Sequence, residues 1–188
     1  MSDDRMKFNL AVAGLVLLLT VSVGYGIVTS NREAGEQLIE FVRSELYAGL
    51  LGDDPFIIFI RIFLNNLEAC ALLFLGGTSL GLFTVLIISL NGLLIGGVIA
   101  FSVHERGPLF IMAALLPHGL LEIPAFLLSG ALGLSLAQAL WMEVRGAGDA
   151  SESAERLGRI FISIVIPLVA IAAFIESFIT PYVLDLII

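Results

Sequence analysis

From Phe8 to Val28 the chain runs without a single charged residue, and long apolar stretches recur along the rest of its length. A helix of about twenty apolar residues matches the roughly 30 Å hydrocarbon core of a bilayer. Inside that core every backbone polar group must find its partner within the structure, as it does in a helix. An all-α, polytopic transmembrane helix bundle is the fold that satisfies both conditions. Composition agrees: hydrophobic residues make up 59% of the 188 and charged residues 14%, where a soluble domain carries about a quarter. One integral membrane domain over residues 1–188 is expected, with the lipid bilayer as its surroundings. The net charge of -8 argues against nucleic acid as a partner. Cys70 is the only cysteine, so no disulfide within one chain and no zinc spacing exists.

The first run, 8–28, reads as a retained span, because it is longer than a signal core and "VGYGIVTSN" offers no small-residue cleavage site. Residues 31–54 carry charges among Leu38, Ile39, Phe41, Val42, Leu46 and Leu50, the pattern of an amphipathic helix at the membrane surface or across the end of the bundle. Further spans are predicted over 56–76 and 78–103, with "GGTS" (Gly76 to Ser79) as the turn between them. The stretch from Pro108 to Trp141 covers 34 residues, where one crossing needs about twenty. Pro117 and Gly119 predict a broken or re-entrant helix there, dividing 108–141 into a half-helix and a full span. A last span covers 157–181. The chain shows no internal repeat or low-complexity stretch.

Five crossings place Arg5, Lys7, Arg145, Arg156 and Arg159 on one side and Arg32, Arg43 and Arg106 on the other. The side richer in Lys and Arg is the cytoplasmic one. A multi-pass protein of the cell membrane is therefore expected, with its amino terminus in the cytoplasm. The 31–54 segment then lies outside, the best surface for membrane or extracytoplasmic partners.

Ionisable side chains inside spans cost about 2.5–3.5 kcal/mol each at a helix centre on insertion scales. This chain keeps Arg61, Glu68, Glu122 and Glu176 in its apolar segments, with Asn65, Asn66, Asn91 and His118. Arg61, Asn65 and Glu68 fall at i, i+4 and i+7, one stripe of a helix, and His118 and Glu122 at i and i+4 share another. Depth counting lets all of them meet in one interior polar cluster. Three uses fit: paired charges that hold the bundle together, a proton or ion pathway, or a metal site. For the last, a divalent metal such as zinc held by His118, Glu122 and Glu176, or by Glu68 in place of Glu176, is the candidate set, although "HGLLE" lacks the second histidine of H-E-x-x-H. No other cofactor is implied, and no serine or cysteine sits in a nucleophile arrangement.

Gly77, Gly81, Gly92 and Gly96 form two G-x-x-x-G pairs separated by eleven residues, which predicts one close-packing face on the third span.

Four segments together, "FLNNLEACALLFLGG", "LNGLLIGG", "LLPHGLLEIPAFLLSGALGL" and "IAAFIESFITPYV", resemble the stage II sporulation protein M family over Pro55 to Val183. The family pattern falls on Asn66, Gly77, Gly81, Asn91, Gly92, His118, Gly119, Glu122, Pro124, Glu176, Thr180 and Pro181; Glu68 stands where that pattern carries a basic or neutral residue as often as an acid. The resemblance implies an all-helical membrane protein of about five spans. It also implies a scaffold role, since the family's namesake serves peptidoglycan-degrading partners during engulfment. The expected function is thus a membrane scaffold or membrane-remodelling protein without catalysis of its own, homo-oligomeric and most simply a dimer. The alternative is a transporter of protons, ions or a small solute, or a metal-dependent intramembrane hydrolase, built on His118, Glu122 and Glu176.

Overall fold

The computed structural model describes residues 3–42, 44 and 54–186, apart from the side chains of residues 3, 114–116, 118, 184 and 185. The described residues are almost entirely helical, with no strand among them. Helix α1 (Asp3–Ser30) is followed at once by α2 (Arg32–Phe41), whose first turn is capped by Asn31: its side-chain oxygen accepts from the Ala34 amide at 3.3 Å. Arg43, Leu46 and Leu50 of the predicted amphipathic segment lie outside the described residues. Helix α3 (Pro55–Leu75) starts on the Asp54 cap with Pro55 in its first turn, the position where a missing N–H costs nothing. A 3₁₀ turn, Gly76–Ser79, leads into α4 (Leu82–Arg106). Leu80 at φ 55° and Gly81 at φ 88° reverse the chain between them, and a glycine relieves the second of these left-handed positions.

Helix α5 (Pro108–Val144) runs for 37 residues with Pro117 and Pro124 inside it. The break predicted at Pro117–Gly119 is therefore not an interruption of helical backbone, and the amino-terminal part does not turn back on itself. The energetics explain why. A proline within a helix removes one hydrogen bond, here to the Ala113 carbonyl, whereas a true break in the bilayer frees several groups at several kcal/mol each.

The last crossing is one helical run from Ala150 to Val183, starting seven residues ahead of the predicted boundary on the Asp149 cap, which accepts from Ser151 and Glu152 amides at 2.8 and 3.2 Å. It divides into α6 (Ala150–Ile160), α7 (Ile166–Phe174) and α8 (Thr180–Asp185), joined by π turns over Phe161–Val165 and Ile175–Ile179. Each π turn ends two residues before a proline, so that "FISIVIP" and "IESFITP" form a unit repeated at a fourteen-residue step. The sequence alone showed no repeat; the backbone reveals this one. A proline ring presses on the carbonyl four residues earlier, that of Ser163 or Ser177, and widening the preceding turn relieves the pressure.

Among the described residues, five helices are long and apolar enough to cross a membrane: Asp4–Ser30, Pro55–Ser79, Leu82–Arg106, Gly119–Val144 and Ala150–Val183. Helix α5 is the centre, touching α1, α3, α4, α6 and α7. One apolar core joins α3, α5 and the last crossing through Cys70, Ala125, Leu132, Leu157, Phe161 and Val165. A second joins α1, α3 and α4 through Ala13, Leu17, Leu73 and Ile88.

Small residues set the spacing. A Cβ at Gly133 of α5 would strike the Leu73 carbonyl, and one at Gly77 would strike the Gly133 carbonyl, so α3 and α5 touch backbone to backbone. Gly92 and Gly96 meet Thr20 and Val21 of α1, while Gly81 meets Leu134 and Ala137 of α5. The four glycines thus do not share one face. The eleven-residue step assumes a helix throughout, but α4 begins only at Leu82 and the first pair lies in the turn before it.

Candidate functional site

Polar groups in the spans sort into those that point inward and those that do not. Near the end that carries Arg5, Asn9 is buried and gives its amide hydrogens to Ser135 Oγ at 2.9 Å and Gln138 Oε1 at 3.2 Å. Gln138 returns a bond to Asn9 Oδ1 at 2.9 Å, and the Ser135 hydroxyl donates to its own Ala131 carbonyl at 2.7 Å. Each amide thereby both donates and accepts, so the node ties α1 to α5 with its polar groups satisfied. Sequence reasoning missed it. The available signal was an amide one turn inside each of two apolar runs that share the basic end. A cavity of about 620 Å³ lies beside the node, lined by Arg5, Phe8, Asn9, Gln138 and Trp141 among others. Arg145 stacks over the Trp141 ring at 4.6 Å.

A second inward set lies between α3 and α5. Cys70 is buried, hydrogen-bonds Ser129, and lies within electrostatic range of Glu122. Ser129 donates to the Ala125 carbonyl at 2.8 Å. Glu122 is half-buried and engaged with a partner in the chain. His118 lies one turn before Glu122 on the α5 backbone, and its side chain is outside the described ones. Nearby, the buried Thr84 hydroxyl donates to the Leu73 carbonyl at 2.9 Å.

Glu176 sits inside the second π turn, half-buried, with no side-chain hydrogen bond or ion pair to a described residue. Around it the buried Ser177 hydroxyl donates to the Ala173 carbonyl at 2.8 Å, and Thr180 Oγ1 to the Ile175 carbonyl at 3.3 Å. Among the described residues Asn91 bonds only back along its own helix, to the Ile87 carbonyl at 2.9 Å. Among the described residues, no three His, Cys, Asp or Glu side chains converge as metal ligands.

The outward set is the surprise. Arg61, Asn65 and Glu68 are all exposed on the face of α3 that turns away from the bundle, and Asn66 beside them is half-buried. They are therefore not gathered with the inward residues into one interior cluster. Helical spacing fixed which residues share a stripe but not where the stripe points. On α3 the inner face belongs to Phe63, Leu67, Cys70, Ala71 and Leu73, whose packing leaves the charged row outside. Arg61 is engaged within the chain, whereas Asn65 and Glu68 make no side-chain hydrogen bond or ion pair with a described residue. The Asn9, Gln138 and Thr84 side chains join different helices, and the row on α3 stands exposed near the middle of its crossing.

The uncharacterized protein MJ0793 of Methanocaldococcus jannaschii is 33% identical over 128 residues, covering 65% of this chain and 71% of its own length. The uncharacterized protein MJ0706 of the same organism is 31% identical over 84 residues, covering 45% of this chain and 36% of that longer relative. No solved structure matches the chain. The model of one family, stage II sporulation protein M, matches residues 13–181, nearly the whole bundle from α1 to the second π turn and its proline, and the chain belongs to that family.

Proposed function

We propose that this protein is a scaffold of the cell membrane, which gathers protein partners laterally through its spans and has no catalytic centre of its own. The observation that carries this reading is the direction of the α3 stripe. A transporter or intramembrane hydrolase turns its ionisable residues towards an interior path. Here the stripe faces outward, where another protein surface, and not lipid, satisfies it. The inward polar residues support the same reading, because Asn9, Ser135, Gln138 and Thr84 are taken up in bonds between helices.

Sidedness follows from charge. The Asn9–Gln138 node brings the start of α1 to the end of α5, and Arg32 reaches Glu105 at 3.3 Å at the opposite end. Arg5, Lys7, Arg145, Arg156 and Arg159 thus share one end, which the excess of basic residues assigns to the cytoplasm. Helix α2 then faces outward, available to extracytoplasmic partners.

A second reading keeps one observation in its favour. Glu176 lies in a π turn, a feature that recurs at functional sites, which suits a proton path. Reconstitution separates the two. Sealed vesicles of the purified protein, loaded with a pH-sensitive dye, are expected to leak protons no faster than empty vesicles. A photo-crosslinking residue at position 64, beside the stripe, is expected to yield protein adducts in native membranes. Proton flux that Glu176→Gln abolishes would overturn the scaffold reading.

A further inference from the structure

The centre of the crossing Pro55–Ser79 is Leu67, so Asn65 and Glu68 stand about 3 and 1.5 Å from the bilayer midplane at 1.5 Å per residue. Their exposure has no relief in water at that depth. A long arginine side chain reaches the interface by snorkelling, but an asparagine or a glutamate at the midplane does not. Polar and ionisable residues there face a protein or a wetted cavity, and among the described residues Asn65 and Glu68 meet neither. The window of α3 in the bundle is also the least buried of the five crossings, 11%.

We propose that this face is covered by α3 of a second copy of the chain, related by a two-fold axis along the membrane normal, with Asn65 of each copy bonded to Glu68 of the other. The inference rests on the scaffold reading and names its first partner. The stripe is self-complementary. Two copies inserted the same way have parallel α3 helices, so an amide donor on one lies one three-residue step, about 4.5 Å of helix rise, from the carboxylate acceptor on the other. The axis makes this bond twice, and both unpartnered groups of each copy are satisfied together. Above and below, the exposed Ile57, Leu64 and Leu72 supply apolar packing, while the central amide fixes register as single polar residues do in coiled helices. An unrelated partner helix would need to supply a matched acceptor and donor at the same two depths. A second copy has them by construction.

Cross-linking of the full chain in dilute proteoliposomes tests this. In a Cys70→Ser background, Leu72→Cys reports on the stripe with Asn65 and Glu68 intact, and Leu18→Cys on α1 reports on a face directed elsewhere. The expected result is an oxidised dimer at position 72 and none at position 18. Adding Asn65→Leu is expected to weaken the dimer roughly tenfold, from two interhelical bonds lost at once, with the thermal unfolding midpoint of the detergent-solubilised protein unchanged. Asn65→Gln is expected to retain most of the association. Cross-linking at position 18 instead of 72, an Asn65→Leu protein that dimerises as before, or single-step photobleaching throughout would each overturn the two-fold pairing. Adducts from position 64 to an unrelated membrane protein, with no homodimer, would sink the pairing and leave the scaffold reading standing; proton flux sensitive to Glu176→Gln would sink that reading instead.

Discussion

Helices α3 and α5 lie side by side, touch backbone to backbone, and have opposite economies of polar groups. In the most apolar stretch of the crossing part of α5, 50% of the residues are buried, and in that of α3, 11%. On α5 the inward positions are small or apolar, among them Ala125, Ser129, Ala131, Leu132 and Ser135, and the hydroxyls turn back onto their own carbonyls or join the Asn9 node. On α3 the charged row stands on the outer side. The difference teaches where this sequence spends its polar residues. Burial inside the bundle is secured by close approach and a few satisfied amides, while the row of Arg61, Asn65 and Glu68 is left on the outer face of α3.

The sharpest way to break that contrast is to substitute the glycine on which the two helices meet. Gly133→Val places new atoms against the Leu73 carbonyl and the Thr84 side chain, neither of which can yield without moving a helix. A loss of about 3 kcal/mol is expected, the upper part of the usual range for overpacking, seen as a large fall in the thermal midpoint in detergent. Leu72→Ala on the exposed face of α3 is expected to change monomer stability by no more than about 0.5 kcal/mol. Equal effects would mean that α3 is buried as deeply as α5 within one chain.

The polar node offers a smaller, more specific test. Removing one partner strands the other, so Asn9→Leu and Gln138→Leu are each expected to cost about 1 kcal/mol. The double variant is expected to be more stable than the sum of the two, since no buried amide is left unsatisfied. Strict additivity would show that the two amides do not bond in the membrane.

The sequence made the architecture legible because bilayer thickness turns apolar length into a count of crossings, and the five runs needed no tertiary knowledge to be seen. Several things were beyond it. The continuity of α5 through Pro117 depends on the cost of free backbone groups in lipid, which outweighs the local preference of Pro and Gly. The π turns before Pro167 and Pro181 leave no compositional mark, although the shared serine four residues before each proline hints at them. The polar residues were visible, and so were the stripes that helical periodicity makes of them. Their direction was not, because it depends on which face of α3 packs better against α5. Asn9 and Gln138 were passed over because a lone amide in an apolar run looks unremarkable until its partner is beside it.

The smallest effect is expected where α2 crosses the end of the bundle. Gly35 is buried against Val28 and Phe101, and Leu38 lies against Gly97, so the docking is steric and apolar. The ionic contact is different in kind: Arg32, bonded to Glu36 at 3.2 Å and Glu105 at 3.3 Å, has a side chain 67% exposed. Exposed pairs of this sort contribute about 0.2–1 kcal/mol and are screened by salt. Arg32→Ala is accordingly expected to leave hydrogen-exchange protection of the α2 amides almost unchanged, and unchanged altogether at 0.5 M salt, a concentration at which the Debye length falls below about 5 Å. Leu38→Ala is expected to lower that protection several-fold by opening the contact with Gly97. If Arg32→Ala proved the more damaging, the end of the bundle would be held by charge, and the division between a sterically fastened interior and a charged outer boundary would fail at its far edge.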